Sequence, residues 1–135
     1  MTLWFLVRLY VLTVIVFLAI DVVWIGTVVS GVYQRRLGHL LADAPVWAPA
    51  LIFYAIYVLG ILVFAVLPGL EAESLGRTVA LGAFLGFFAY ATFDLTSMAL
   101  FKDFPLFVVI TDLLWGTVLT GSVAAAGFGI GRWLG

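Results

Sequence analysis

The sequence predicts an all-α polytopic membrane protein, four transmembrane helices in an up-down-up-down bundle. Three observations carry that prediction. Of the 135 residues, 66% are hydrophobic and only 10% charged, with mean hydropathy +1.30, against roughly 25% charged in globular chains. Ionisable residues and prolines then leave four apolar stretches, each with the ~20 residues a helix needs to cross a bilayer. The later connections are too short to hold a domain, so residues 1–135 are expected to form a single four-helix transmembrane domain.

The first helix runs from about Leu3 to about Val32. Its start lacks a basic n-region and a small-residue cleavage site, and an aspartate lies inside the apolar run, so it reads as a retained helix. A loop with Arg35, Arg36 and His39 follows, and its mildly amphipathic segment from Tyr33 to Leu41 is expected to lie along the headgroups. The second helix runs from about Trp47 to Leu67 and closes in a Pro68-Gly69 turn with Glu71 and Glu73. The third spans about Leu75 to Leu100, and after a tight Lys102-Asp103 turn the fourth spans about Phe104 to about Ile130. Asp43 before Pro45 and Asp103 before Pro105 read as acidic N-caps followed by an early proline. Trp4, Trp47 and Trp133 fall at span ends, where indoles favour the headgroup region.

Both termini are therefore on one side of the membrane. Arg8, Arg77 and Arg132 stand on that face, and Arg35, Arg36 and Lys102 on the other, so the positive-inside rule does not choose. The short tail ahead of Arg8 favours cytoplasmic termini. A net charge of −1 with scattered cations excludes a nucleic-acid face. Without cysteine there is no disulfide, thiol catalyst or thiolate metal site, and lone His39 has no second ligand to support a metal. No cofactor motif is present and none is expected.

Asp21, Asp94 and Asp112 are the informative residues, because a carboxyl inside a span costs about 2.5–3.5 kcal/mol to insert and its default reading is functional. Asp94 lies eight residues before Lys102 and Asp112 nine after Asp103. At about 1.5 Å per residue both sit roughly 12–14 Å below the same face. Asp21, nine residues before Ser30, reaches that level or somewhat deeper, and Tyr54 and Tyr57 belong there too. All four helices thus feed one polar layer.

Helical spacing indicates which faces meet. Gly82, Gly86, Tyr90 and Asp94 form one stripe on the third helix, and Asp112, Gly116, Thr120 and Ala124 form another on the fourth. Small residues on facing stripes let membrane helices approach closely, which predicts a hairpin with Asp94 near Asp112. One pattern occurs twice: Asp21-Val-Val-Trp24 and Asp112-Leu-Leu-Trp115, each followed by Gly-Thr. Its spacing sets a carboxyl and an indole on one face, as in a lined cavity. No lysine or arginine enters the layer as a counter-ion, so at least one carboxyl is expected to be neutral when the site is empty. The structural alternative is a polar knot around Asp94, Thr96, Ser97 and Tyr90 that pins the hairpin.

Several of these motifs together resemble a known family: Asp21 with Trp24-Ile-Gly26, Trp47-Ala-Pro49-Ala with Tyr54 and Tyr57, Tyr90-Ala-Thr-Phe-Asp94-Leu-Thr96, and Asp112-Leu-Leu-Trp115-Gly116. The chain resembles, over essentially its whole length, the small bacterial inner-membrane proteins grouped as domain of unknown function 2177. Where that family often carries Asn after Asp-Leu-Thr, this chain has Ser97, which keeps a hydrogen-bonding group without the amide. The resemblance implies a four-helix fold in the bacterial inner membrane and no activity.

The leading expectation is proton-linked binding or transport of a small amphipathic or apolar solute. The candidate site comprises Asp21, Asp94 and Asp112, walled by Trp24, Trp115, Tyr54, Tyr57 and Tyr90 and supported by Thr96. Short length, four helices, a membrane carboxylate and balanced loop charges resemble the small multidrug transporters in architecture, without their motifs. A lone four-helix bundle would hardly enclose a solute path, so transport implies a homodimer or larger assembly. One alternative is an intramembrane enzyme acting on a lipid or isoprenoid with an Asp acid and an Asp base. Another is a structural subunit whose polar layer is glue or a pigment or quinone contact.

Overall fold

The computed structural model describes residues 1–27, 31, 34–38 and 47–135. Its four long helices are Leu3–Thr27 (α1), Trp47–Glu71 (α2), Leu75–Leu100 (α3) and Leu106–Leu134 (α4), and a single helical turn covers Gln34–Leu37. Every one of the four is long and apolar enough to cross a bilayer, and no strand occurs among the described residues. Only 17% of the most apolar window of α1 and 39% of that of α4 are buried within the protein. Most of the apolar surface therefore needs a non-aqueous cover, which lipid provides.

Local chemistry sets the ends. Thr2 caps α1 by accepting from the Phe5 N–H at 3.1 Å, and Ser74 caps α3 by accepting from the Arg77 N–H at 3.1 Å. Trp4, Trp47 and Trp133 are all exposed at their helix ends, as headgroup anchors require.

Three boundaries differ from the sequence reading. α2 does not turn at Pro68-Gly69 but continues to Glu71, and the chain reverses just beyond, with Glu73 at φ 52°. Pro68 has no N–H to offer the carbonyl of Phe64, and the preceding Leu62–Val66 turn widens to a π-helix in which the Leu67 N–H reaches the Leu62 carbonyl. That bulge lets the helix carry the proline instead of stopping at it. Asp103 is not a cap: it sits at φ 60°, a conformation aspartate tolerates, while extended Pro105 precedes the first residue of α4. Finally, α4 runs on to Leu134, past Ile130. Asp43, Pro45 and His39 lie outside the described residues, as do Tyr33, Leu40 and Leu41.

The tightest packing is the α3–α4 hairpin. A Cβ on Gly82 would stand 2.6 Å from the Ala124 Cβ and 2.9 Å from the Thr120 carbonyl, and one on Gly86 would strike the Gly116 carbonyl. The two stripes are therefore in backbone contact. α1 packs on α2 and α4, while the π-helical part of α2 reaches both α3 and α4. Phe17, Leu9, Ile61 and Leu119 fill the space enclosed.

Candidate functional site

The close α3–α4 hairpin is what brings two carboxyls face to face. Asp94, at 1% exposure the most buried acid among the described residues, has two oxygens that meet no hydrogen-bond donor. What faces it is the carboxyl of Asp112, within hydrogen-bonding reach. Two carboxyl oxygens that face each other are both acceptors and need a proton or another donor between them. Asp21 lies near enough to Asp112 for their charges to interact, whereas Asp94 is reached by Asp112 alone of the two. The three acids thus form a row from α1 through α4 to α3, with Asp112 in the middle.

Each end of the row is supported differently. Asp21 accepts a hydrogen bond from the Tyr54 hydroxyl at 2.7 Å, so α2 holds the acid of α1. The Trp115 indole N–H lies beside the same carboxyl but completes no hydrogen bond of ordinary geometry. Trp24 and Trp115, the indoles of the repeated pattern, stack at 4.2 Å with planes 3° apart and close the row on the α1–α4 side. At the other end the Tyr90 ring lies over Gly116, where any Cβ would collide with it. Tyr57 shares a 2.7 Å hydrogen bond with Thr120, joining α2 to α4 beneath the acids.

A groove of about 350 Å³ leads to this row from outside, lined by Phe53, Ala89, Tyr90, Phe93 and Asp112. Phe53 is 45% and Phe93 62% exposed, so the mouth opens sideways on the surface that lipid covers. Its walls are aromatic and apolar, and Asp112 is the acid within it.

A family model described as a predicted membrane protein, DUF2177, matches residues 6–129. The chain belongs to the DUF2177 family. The matched range takes in all three acids, both stacked indoles and the tyrosines. No curated protein and no solved structure is similar enough to match. The chemistry of this DUF2177 protein is therefore argued from its own residues.

Of the residues singled out in the sequence, Asp21, Asp94, Asp112, Trp24, Trp115, Tyr54, Tyr57 and Tyr90 gather around the row. Thr96 does not. It is exposed on the outer side of α3, because a step of two residues from Asp94 points away from it, whereas Ser97, three residues on, is buried. Other contributors went unseen. Phe17, fully buried, packs its ring 5.4 Å from Tyr54 and 6.0 Å from Tyr57, and its place four residues before Asp21 was a legible signal. Phe53 and Phe93 carry no sequence signal, since an aromatic groove wall reads like any lipid-facing residue. Among the described residues no three His, Cys, Asp or Glu are grouped to hold a metal ion.

Because Tyr54 is the donor that the structure assigns to Asp21, Tyr54→Phe is expected to destabilise the fold by about 0.6–1.7 kcal/mol. Reversible unfolding in mixed micelles measures it. No change would mean that the hydroxyl does not hold the carboxyl.

Proposed function

We propose that this DUF2177 protein binds a small amphipathic or apolar solute taken from the lipid phase and couples that binding, or passage, to proton movement at Asp94 and Asp112. One observation carries the reading: the buried Asp94 oxygens meet no donor and face Asp112, which itself lines a groove open to the bilayer. A fully structural pair would be saturated with hydroxyl or amide donors. Asp94 instead leaves a position for either a proton or the positive or hydrogen-bond-donating head of a solute, whose apolar body the aromatic walls accept. The groove volume of about 350 Å³ suits a small molecule. Asp21 and Tyr54 extend the row and provide further proton-bearing groups, as in membrane proton relays.

In this reading residues 1–135 act as one unit in the bacterial inner membrane with cytoplasmic termini, and transport takes a homodimer. Cross-linking in native membranes is expected to trap that dimer; a strictly monomeric chain restricts the activity to binding.

The direct test uses tetraphenylphosphonium, a lipophilic aromatic cation, with purified protein in liposomes. Proton and cation compete for the same carboxyls, so affinity is expected to rise with pH and binding to release protons. Asp112→Asn should abolish both effects. Binding that ignores pH in the parent, or survives unchanged in a folded Asp112→Asn variant, would overturn the proposal.

A further inference from the structure

Another buried polar group without a hydrogen bond lies at the opposite end of the bundle. Arg8 stands five residues into α1, about 7–8 Å from the helix start and one turn beyond Trp4. Its Nε–H is buried and makes no hydrogen bond, and no carboxylate side chain among the described residues pairs with it. The guanidinium lies over the Trp4 ring at 5.3 Å, which steadies its position without giving the Nε–H an acceptor. Beside it runs a groove of about 480 Å³ between the ends of α1 and α4, lined apart from Arg8 itself by Trp4, Val7, Val11, Leu12, Trp133 and Leu134. Trp4 and Trp133 are exposed there, at headgroup level.

A cation with an unpartnered Nε–H near the membrane interface, beside an apolar groove that runs towards the hydrocarbon, has the two halves of a phospholipid site. We propose that Arg8 and this groove hold a phospholipid with an anionic headgroup, the guanidinium on its phosphate and an acyl chain along Val7, Val11, Leu12 and Trp133. Charge complementarity selects the occupant. The planar guanidinium presents paired donors to phosphate oxygens, and a headgroup without its own cation leaves the whole attraction to the protein. Arg132, also on this face, is exposed and lies over the Phe128 ring at 5.7 Å, away from the groove, so it contributes no such site.

The site is separate from the acid row and is tested separately. Native mass spectrometry of the purified protein with equal phosphatidylglycerol and phosphatidylcholine is expected to retain phosphatidylglycerol preferentially. Arg8→Gln should weaken that retention about tenfold, the effect of losing one charged hydrogen bond, while Arg132→Gln changes it less than about twofold. Val11→Trp keeps the charge and fills the groove from a lipid-facing position, so it should also lose the lipid while folding normally. That variant decides the matter if Arg8→Gln fails to fold. Equal retention of both lipids by the parent, undiminished retention in both Arg8→Gln and Val11→Trp, or complete displacement by inorganic phosphate alone would overturn the proposal, the last by showing a site for a free anion.

Discussion

Replacing Asp94 with asparagine is expected to leave the protein better folded and its cation binding uncoupled from protons. The carboxyl of Asp94 is buried with no donor to either oxygen, and its nearest polar neighbour is another acid. Carrying such a group into the bilayer costs about 2.5–3.5 kcal/mol. Asparagine keeps the shape, removes the ionisable group and offers an amide N–H₂ to Asp112, so the pair gains a hydrogen bond that needs no proton. Net stabilisation of about 1–2 kcal/mol follows if half of the insertion cost is recovered. The same exchange removes the competition between proton and cation, and tetraphenylphosphonium binding should lose its pH dependence. Unfolding in mixed micelles and the binding assay together give the answer. A variant that is less stable yet still binds in a pH-dependent way would make Asp94 part of a structural knot and end the functional reading.

A second large effect is expected at Gly86. A Cβ there would stand 2.6 Å from the Thr120 Oγ1 and 2.7 Å from its Cβ, and would strike the Gly116 carbonyl. Two of these neighbours belong to a packed side chain and one to a helix backbone, so none gives way easily. Gly86→Ala should therefore cost about 3 kcal/mol or more, at the top of the range for overpacking. By wedging α3 from α4 it also separates Asp94 from Asp112, and cation binding should fall with stability. Gly121 supplies the control on the same interface: an added Cβ meets nothing nearer than 3.6 Å. Gly121→Ala is expected to stay within about 0.5 kcal/mol of the parent. Equal behaviour of the two variants would mean that the helices are not in backbone contact at Gly86.

Much of this was legible before any coordinates. Span lengths follow from where charge and proline interrupt apolar sequence, because the bilayer admits little else. The facing stripes were legible for the same kind of reason: a repeat of four along a helix is a line in space, and small residues on that line invite a neighbour. Gly82, Gly86 and Gly116 duly carry the close approach of α3 to α4. Thr96 shows the limit of reading by proximity in sequence, since its turn around the helix axis, and not its closeness to Asp94, sets where it points. Pro68 shows another limit. A proline predicts a lost hydrogen bond, but whether the chain stops or bulges depends on neighbours that hold the helix together, here α3 and α4 against the π-helical turn.

Composition and periodicity by themselves determined that this protein crosses a membrane four times and sets acids from three helices at one level. Those properties are local, each settled by a residue's own solubility and by the pitch of the helix. Only the tertiary structure decided that Asp112 stands between the other two, that Asp94 is left without a donor, that the repeated tryptophans stack on each other, and that a groove walled by Phe53 and Phe93 leads in from the lipid. These are relations between helices, and they depend on the rotation and separation of each pair, which side-chain packing fixes and one-dimensional spacing does not.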